Sequence, residues 1–223
     1  MAQMAYMLRM LWPLLAALGL AWPAASVAEP ADFQHLAPSA EARQIADWAL
    51  DSRDHAGLPF VVVDKVQSRV FVFDGSGRLR GAAPALVGLA SGDASVPGIG
   101  QRAVASIRPE ERTTPAGRFV ASLEHSLAGD EILWVDYEAA IALHPVVAVA
   151  NERRLQRLAS TTVSDRRITY GCINVPEVFF RTVVAPLFRA SPGIVYVLPE
   201  RSSARELFGS HVVVPATAPR PSK

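Results

Sequence analysis

Cysteine is nearly absent from this chain, since Cys172 is the only one in 223 residues. No disulfide can form within the chain, so its stability must come from packing. The first 28 residues have the features of an export signal, and a lone thiol in an oxidising compartment is a hazard unless it has a task. Cys172 is therefore a candidate catalytic thiol. The alternative is an inert, buried cysteine that packs as a small hydrophobic residue.

An excess of charge of either sign is also missing. The chain has 22 basic and 21 acidic residues, and a formal net charge of +1. The predicted export signal contains Arg9 and no acidic residue, so its removal leaves equal numbers of both signs. This balance argues against nucleic acid or anionic lipid as the main partner.

Long apolar runs are confined to the amino terminus. Arg9 is the only charge in residues 1–28, residues 10–21 are almost wholly apolar, and small residues precede position 29. This pattern predicts a signal peptide cleaved after Ala28, and an exported, periplasmic or cell-wall-associated protein. An uncleaved anchor is the alternative. The apolar run is short for a membrane span and contains Pro13, so we expect a mature protein that does not span the membrane.

A nucleotide-binding signature is lacking as well. Residues 88–100 are rich in glycine, but they contain neither the lysine of a phosphate loop nor a full G-x-G-x-x-G. We interpret this stretch as a long surface loop, and it predicts no nucleotide cofactor.

The remaining pattern divides the chain into three parts. Residues 29–58 are a lead-in, in which Ser39 can cap a helix that ends near position 55. Residues 59–198 contain short runs rich in valine and phenylalanine, which are typical of strands. Too few crossover helices are available for a parallel α/β sheet, so we predict a mainly β domain. Residues 199–223 mix charge, serine and proline, which predicts a disordered tail.

The residues around Cys172 suggest how the thiol could be activated. Asn174 can act as an N-cap, with Pro176 in the first helical turn and Glu177 completing a capping box. Cys172 would then lie just before a helix N-terminus, whose partial positive charge favours the thiolate. Gly171 removes side-chain bulk beside the sulfur, so we expect a substrate carbonyl to approach there.

A cysteine needs a base nearby to react at neutral pH, and His144 is the natural candidate. It lies at the end of a predicted strand, on a face that otherwise carries only Ala140 and Ala142. Taken alone, His144 is better explained as a structural or surface histidine. The remaining candidates occupy less favourable contexts: His35 in the lead-in, His125 in a loop and His211 in the tail.

Taken together, His144 and the sequence Tyr170-Gly171-Cys172-Ile173-Asn174 resemble the L,D-transpeptidase catalytic domain (YkuD-like). That family has a histidine, a spacer, and then His-Gly-Cys followed by a hydrophobic residue and Asn or Arg. Thr114-Pro115-Ala116-Gly117-Arg118-Phe119 and the upstream glycine-rich loop extend the resemblance, which covers roughly residues 59–198.

The resemblance implies a β-sandwich of mixed sheets with a few short helices. It also implies acyl transfer on peptidoglycan stem peptides, with Cys172 as nucleophile and His144 as base. Backbone N–H groups near Tyr170 to Cys172, Gly171 included, would stabilise the oxyanion, and Asn174 would support the site. The family's reaction needs no metal or cofactor, and the amine acceptor stays open.

Two departures from the family pattern affect the details. Tyr170 stands where the family usually has a second histidine, and the spacer between His144 and Cys172 is longer than usual. An L,D-carboxypeptidase with the same site, a catalytically silent wall-binding module and an unrelated thiol peptidase are the alternatives. Tyr170 is the best argument for the silent module.

Overall fold

The computed structural model describes residues 29–213. The predicted export signal at residues 1–28 and the final residues 214–223 lie outside this range. No helix within residues 29–213 is both long and apolar enough to cross a bilayer.

The described residues form ten strands and several short helices. The strands are β1 (Phe60–Asp64), β2 (Arg69–Phe73), β3 (Leu79–Pro84), β4 (Val87–Gly88), β5 (Gly117–His125), β6 (Glu131–Asp136), β7 (Ile141–Pro145), β8 (Arg167–Thr169), β9 (Ile173–Val175) and β10 (Gly193–Val197). The α-helices are α1 (Ala40–Asp51), α2 (Arg154–Ala159), α3 (Glu177–Phe179), α4 (Ala185–Ala190) and α5 (Ala204–Phe208). A π-helical segment, Phe180–Val184, joins α3 to α4, and 3₁₀ turns occupy Ile99–Gln101, Val104–Ser106, Pro109–Glu111 and Val163–Arg166.

Eight strands form one mixed sheet in the order β3-β2-β1-β10-β5-β6-β7-β9, and β4 pairs with β8 separately. The β1–β10 and β7–β9 pairs are parallel, whereas the other neighbours in the large sheet are antiparallel. The sheet curls around a core to which both of its halves contribute, for example Val61 and Val195 from one half and Leu143 and Ile173 from the other. The prediction of a mainly β fold with mixed strands and a few short helices is confirmed.

Helix α1 covers the outer face of β1, β2 and β10, as its amphipathic pattern predicts. The Oγ of Ser39 accepts a hydrogen bond from the Ala42 N–H at 3.1 Å, so the predicted N-cap is present. Ile45 and Trp48 are buried against the aromatic side chains of the sheet. The helix ends at Asp51, before the predicted end near position 55.

The prediction of a disordered tail is wrong for residues 199–213. Ser203 and Glu206 form a reciprocal capping box that starts α5. Phe208 lies at the end of α5, and the centroid of its ring is 5.9 Å from that of Tyr196 and 6.4 Å from that of Trp48. The polar composition of residues 199–213 did not predict this helix, because the contacts that stabilise it come from aromatic residues far away in the sequence.

The helical region after Cys172 starts later than predicted. Asn174 is a residue of β9, and the helix begins at Glu177 after Pro176. The spacing of apolar residues after position 174 predicts a core-facing stripe of Val175, Val178, Phe179, Thr182, Val183 and Leu187. In the structure Phe180 and Val184 face the core, whereas Val178 is 72% exposed. The predicted inward stripe is therefore displaced, because the helix begins later and its π segment changes the periodicity.

A buried lysine ties the glycine-rich loop to the segment that carries the cysteine. Lys65 is 1% exposed, and its Nζ donates to the carbonyl oxygens of Gly92 (2.6 Å) and Thr114 (3.0 Å) and to Asp93 Oδ1 (3.2 Å). The Oγ1 of Thr114 in turn donates to the Gly171 carbonyl oxygen at 2.7 Å. The loop thus holds the backbone next to Cys172.

The burial of Lys65 predicts a pH dependence of stability. Burial lowers the pKa of Lys65 to about 8. Between that value and the unfolded value of about 10.4, the unfolded state binds more protons, so stability rises with pH. The free energy of unfolding of the wild type minus that of Lys65→Met should therefore increase from pH 8 to pH 10, by up to about 1.4 kcal/mol for each step of one in pH. Urea titrations at several pH values measure this difference, and a flat difference would contradict the prediction.

Candidate active site

Strands β6, β7 and β9 bring the two predicted catalytic side chains to one cavity. Leu143 pairs with Ile173 and His144 pairs with Asn174 across the parallel β7–β9 ladder. Side chains alternate along a strand, so Cys172 and His144 emerge on the face opposite the core residues Leu143 and Ile173. Both line a cavity of about 730 Å³. The predicted juxtaposition of thiol and imidazole is thus present in the fold.

Small and apolar side chains shape the inner part of this cavity. Ala140 and Ala142 line it next to His144, as the alanine-only face of the predicted strand indicated. Trp134 pairs with Ala142 across the β6–β7 ladder and also lines the cavity. The space beside the sulfur is therefore created by the two alanines.

Cys172 is half-buried, and its environment does not activate the thiol by itself. Its Sγ lies 3.7 Å from the Ala140 carbonyl oxygen. Burial raises the pKa of the Cys172 thiol, while the Ala142 N–H and the charge of Arg154 lower it by less. The predicted activation by a helix N-terminus is wrong, because β9 separates Cys172 from the helix that starts at Glu177. The thiol therefore needs a base.

His144 has the protonation state that a base requires. Its Nδ1 lies 2.8 Å from the Pro145 carbonyl oxygen, which can only accept, so Nδ1 carries the proton. Its Nε2 lies 2.9 Å from Asn174 Nδ2, which donates to the Nε2 lone pair. Burial lowers the pKa of His144 below the usual 6.5, and the charge of Arg154 lowers it further, against the hydrogen bond to Pro145. The imidazole is therefore neutral at pH 7.

Asn174 lies beside His144 instead of capping a helix. The residue is fully buried, and its backbone N–H and carbonyl both pair with Leu86. Its Oδ1 accepts a hydrogen bond from the Arg154 guanidinium at 3.1 Å. Asn174, predicted as a supporting residue of the site, thus contacts His144, and the N-cap role predicted for it is wrong.

Arg154 contacts the candidate site through Asn174, which the sequence did not reveal. The sequence of residues 151–159 predicts a short helix with Leu155 and Leu158 facing inward and Arg153, Arg154 and Arg157 facing outward. In the structure the Arg154 side chain is only 10% exposed and pairs with Glu152. Leu155, predicted to face inward, is 61% exposed. Helix α2 has only six residues, too few for periodicity to show which arginine packs inward.

Gly171 is required by packing and by its backbone conformation. Its φ is +133°, and a Cβ there would lie 2.6 Å from Ile141 Cδ1 and 2.9 Å from the Thr113 carbonyl oxygen. The missing side chain therefore faces Ile141 and Thr113. The predicted reason for this glycine, room for a carbonyl next to the sulfur, does not match its orientation.

Tyr170 packs against Arg112 outside the cavity. The Arg112 guanidinium carbon lies 3.9 Å from the centre of the Tyr170 ring, a cation–π contact. Arg112 is held there by two hydrogen bonds of 3.2 Å to the Ile107 carbonyl oxygen. Tyr170 is not among the described residues that line the cavity around Cys172. The Tyr170 side chain thus packs on Arg112 and supports the segment that contains Cys172 from outside the cavity.

No group of three or more His, Cys, Asp or Glu side chains within residues 29–213 is arranged to hold a metal ion. The charged side chains that line the cavity around Cys172 and His144 include Asp130, Glu131, Glu177 and Arg181. Two of them are paired within the cavity wall, since Arg181 Nε donates to Glu177 Oε1 at 2.9 Å.

Substituting Gly171→Ala should destabilise the fold by more than Gly57→Ala. Gly57 is the control for a positive φ without a clash, because its φ is +72° and a Cβ there would meet nothing within 4 Å. We expect Gly57→Ala to cost about 1 kcal/mol from backbone strain, and Gly171→Ala about 1–3 kcal/mol more from the clash together with its φ outside the left-handed helical region. Urea denaturation measures both. Equal losses in the two variants would mean that the Gly171 segment can move away from Ile141.

Comparison with known proteins adds partial structural likenesses. No known family model matches the sequence, and no curated protein matches it. The helical cell shape determining protein Pgp2 from Campylobacter jejuni is 15% identical, with a TM-score of 0.41 over 66% of this chain and 49% of that one. An L,D-transpeptidase from Xylanimonas cellulosilytica is 15% identical, with a TM-score of 0.39 over 63% and 60%. The catalytic domain of an E. faecium L,D-transpeptidase is 15% identical, with a TM-score of 0.36 over 62% and 95%. The chain spans about half the length of the Campylobacter protein.

Proposed function

We propose that this protein is an exported L,D-transpeptidase, a cysteine acyltransferase that acts on peptidoglycan stem peptides through residues 59–198. One observation carries the proposal: Cys172 shares a cavity with a neutral His144 whose Nδ1–H is held by the Pro145 carbonyl. A nucleophile, a base and a group that orients the base are the minimum set for covalent acyl transfer. The sequence around them resembles the same family.

Acylation begins with removal of the thiol proton. In the tautomer described above, Nε2 of His144 is the ring nitrogen with a lone pair. The resting Sγ points to the Ala140 carbonyl, and the Nε2 lone pair accepts a hydrogen bond from Asn174 Nδ2. Substrate binding must therefore turn the thiol toward Nε2 and displace the Asn174 N–H from it, as catalytic contacts often form only in the complex. The thiolate then attacks the carbonyl between the third stem residue, a diamino acid, and the terminal D-alanine. A C–S bond forms, the C–N bond breaks, and His144 returns the proton to the leaving amine.

The oxyanion of the tetrahedral intermediate needs backbone donors near the sulfur. The Gly171 N–H donates to Thr169 Oγ1 at 3.2 Å and is engaged in holding the loop. We therefore assign the oxyanion to the N–H groups of Cys172 and Tyr170. Such donors contribute roughly 2.7–4 kcal/mol each to transition-state stabilisation. Their orientation depends on the Thr114 hydrogen bond to the Gly171 carbonyl.

The thioester is released when an amine acceptor attacks it, with His144 again accepting the proton. Water in place of the amine would make the same site an L,D-carboxypeptidase. The products therefore separate the candidate activities.

Incubation of residues 29–223 with a disaccharide-tetrapeptide, followed by mass spectrometry, tests the proposal. We expect a cross-linked dimer that has lost one D-alanine. Cys172→Ala should abolish this product and cost about 1 kcal/mol or less in stability, because a half-buried thiol leaves only a small cavity. A tripeptide product would indicate the carboxypeptidase. No product from a folded wild type would favour the silent wall-binding module.

A second prediction concerns Tyr170, where the chain departs from the family pattern. Because its ring packs on Arg112 outside the cavity, Tyr170→Phe should retain most of the turnover. Tyr170→Ala, which removes the ring, should lower both stability and turnover by releasing the segment. Steady-state rates with the tetrapeptide measure this. A loss of about a hundredfold in Tyr170→Phe at unchanged stability would make the phenol a direct oxyanion donor.

A further inference from the structure

A buried arginine lies behind the proposed base. The Arg154 guanidinium donates through Nε to Glu152 and through Nη1 to Asn174 Oδ1, and its side chain is only 10% exposed. Asn174 Nδ2 then reaches Nε2 of His144. Since burying an arginine is costly unless it is paired and hydrogen-bonded, its placement at this point of the fold calls for a role.

We infer that Arg154 is a positioning residue for the proposed reaction: through Asn174 it fixes the ring orientation and the Nδ1–H tautomer of His144, so that Nε2 carries no proton when the thiol approaches. This inference rests on the proposed function, because it assigns a role in the step in which Cys172 loses its proton. Arg154 does not line the cavity with Cys172 and His144 and acts through Asn174.

The directions of the hydrogen bonds leave no freedom in this chain of contacts. A guanidinium can only donate, so the amide oxygen of Asn174 must face Arg154. The amide nitrogen, which also only donates, must then face His144 Nε2, and that nitrogen must carry a lone pair. The Pro145 carbonyl requires the proton on Nδ1. Without Arg154, the amide could flip and present its oxygen to a protonated Nε2.

The positive charge of Arg154 also favours an unprotonated His144. It lowers the pKa of the Cys172 thiol and that of the His144 imidazole, which favours the thiolate and the neutral base. Asp130 is the group that raises the pKa of His144 from the cavity side. The other charged groups on the cavity wall are Glu131, Glu177 and Arg181, and Glu152 pairs with Arg154 behind Asn174. The charge of Arg154 thus opposes the effect of Asp130 on the pKa of His144.

The same arrangement helps the proton to leave the imidazole. Once His144 has taken the thiol proton, its Nε2–H faces the Nδ2–H of Asn174, which is a contact between two donors. This repulsion makes the imidazolium more acidic, which favours transfer of the proton to the leaving amine and lowers the basicity of His144 toward the thiol by the same amount.

Alkylation of the thiol tests the inference without any peptidoglycan substrate. Iodoacetamide is uncharged, and Cys172 is the only cysteine, so the rate against pH reports the thiolate fraction of this residue. We expect Arg154→Met to move the midpoint of the profile to higher pH. A midpoint that is higher by about one in pH lowers the rate on its acid side about tenfold. Arg153→Met is the matched control, because it removes the same charge from an exposed position on the neighbouring residue. It should leave the profile unchanged.

The tautomer of His144 provides a second readout. The ¹⁵N chemical shifts of its ring, assigned with a His144→Gln variant, should show a lone pair at Nε2 in wild type and in Arg153→Met. In Arg154→Met we expect that signature to be lost or the His144 pKa to rise. The double variant Glu152→Gln with Arg154→Met avoids an unpaired carboxylate and gives the same readouts if the single variant does not fold.

These outcomes separate the inference from a structural role and from the proposed function. A merely structural arginine would lower thermal stability on substitution and leave the alkylation midpoint and the tautomer unchanged, which would overturn the inference. Failure of the wild type to convert a tetrapeptide would reject the proposed function, while the alkylation and ¹⁵N results would still report whether Arg154 controls His144.

Discussion

The parallel pairing of β7 with β9 is the constraint on which the site depends. It sets His144 opposite Asn174 and thereby places Cys172, two residues earlier, on the same face. A shift of one residue in this register would turn the thiol or the imidazole into the core. The register is held by the burial of Leu143, Ile173 and Val175 and by the pairing of Asn174 with Leu86 on the far side of β9. Core packing and catalytic geometry are therefore set by the same ladder.

Burial shifts the pKa values of the two proposed catalytic groups in opposite directions. It raises the pKa of the Cys172 thiol and lowers that of His144, so both are neutral at rest. Such a pair holds little thiolate at rest, and the thiolate is the form that is readily oxidised or alkylated. Reactivity then requires proton transfer within the cavity, which makes the position of Nε2 more important than the intrinsic acidity of the thiol. The hydrogen-bonded partners of His144, Pro145 and Asn174, are accordingly as much a part of the site as the nucleophile.

A second network supports the segment from the other side. Lys65 holds the glycine-rich loop and the Thr114 turn, and Thr114 holds the Gly171 carbonyl. Arg112 packs on Tyr170 in the next position. These contacts fix the peptide planes on both sides of Cys172 before any substrate arrives, which is the preorganisation that an oxyanion site needs. The loop that lacks a phosphate-binding signature thus has a structural task.

Much of the fold, and the meeting of Cys172 and His144 in one cavity, could be predicted from the sequence alone. The valine- and phenylalanine-rich runs of β1 and β2, the Ser39 cap of α1 and the alanine-only face beside His144 are local patterns, and local patterns depend on neighbours along the chain. Only the tertiary structure decided that Asn174 pairs with His144, that Arg154 turns inward, that Gly171 faces Ile141 and that α5 packs on Trp48 and Tyr196. Each of these depends on a partner far away in sequence or on a helix too short to show a period. The residue types suggested which chemical groups could react, whereas the strands β7 and β9 determined how those groups are placed relative to one another.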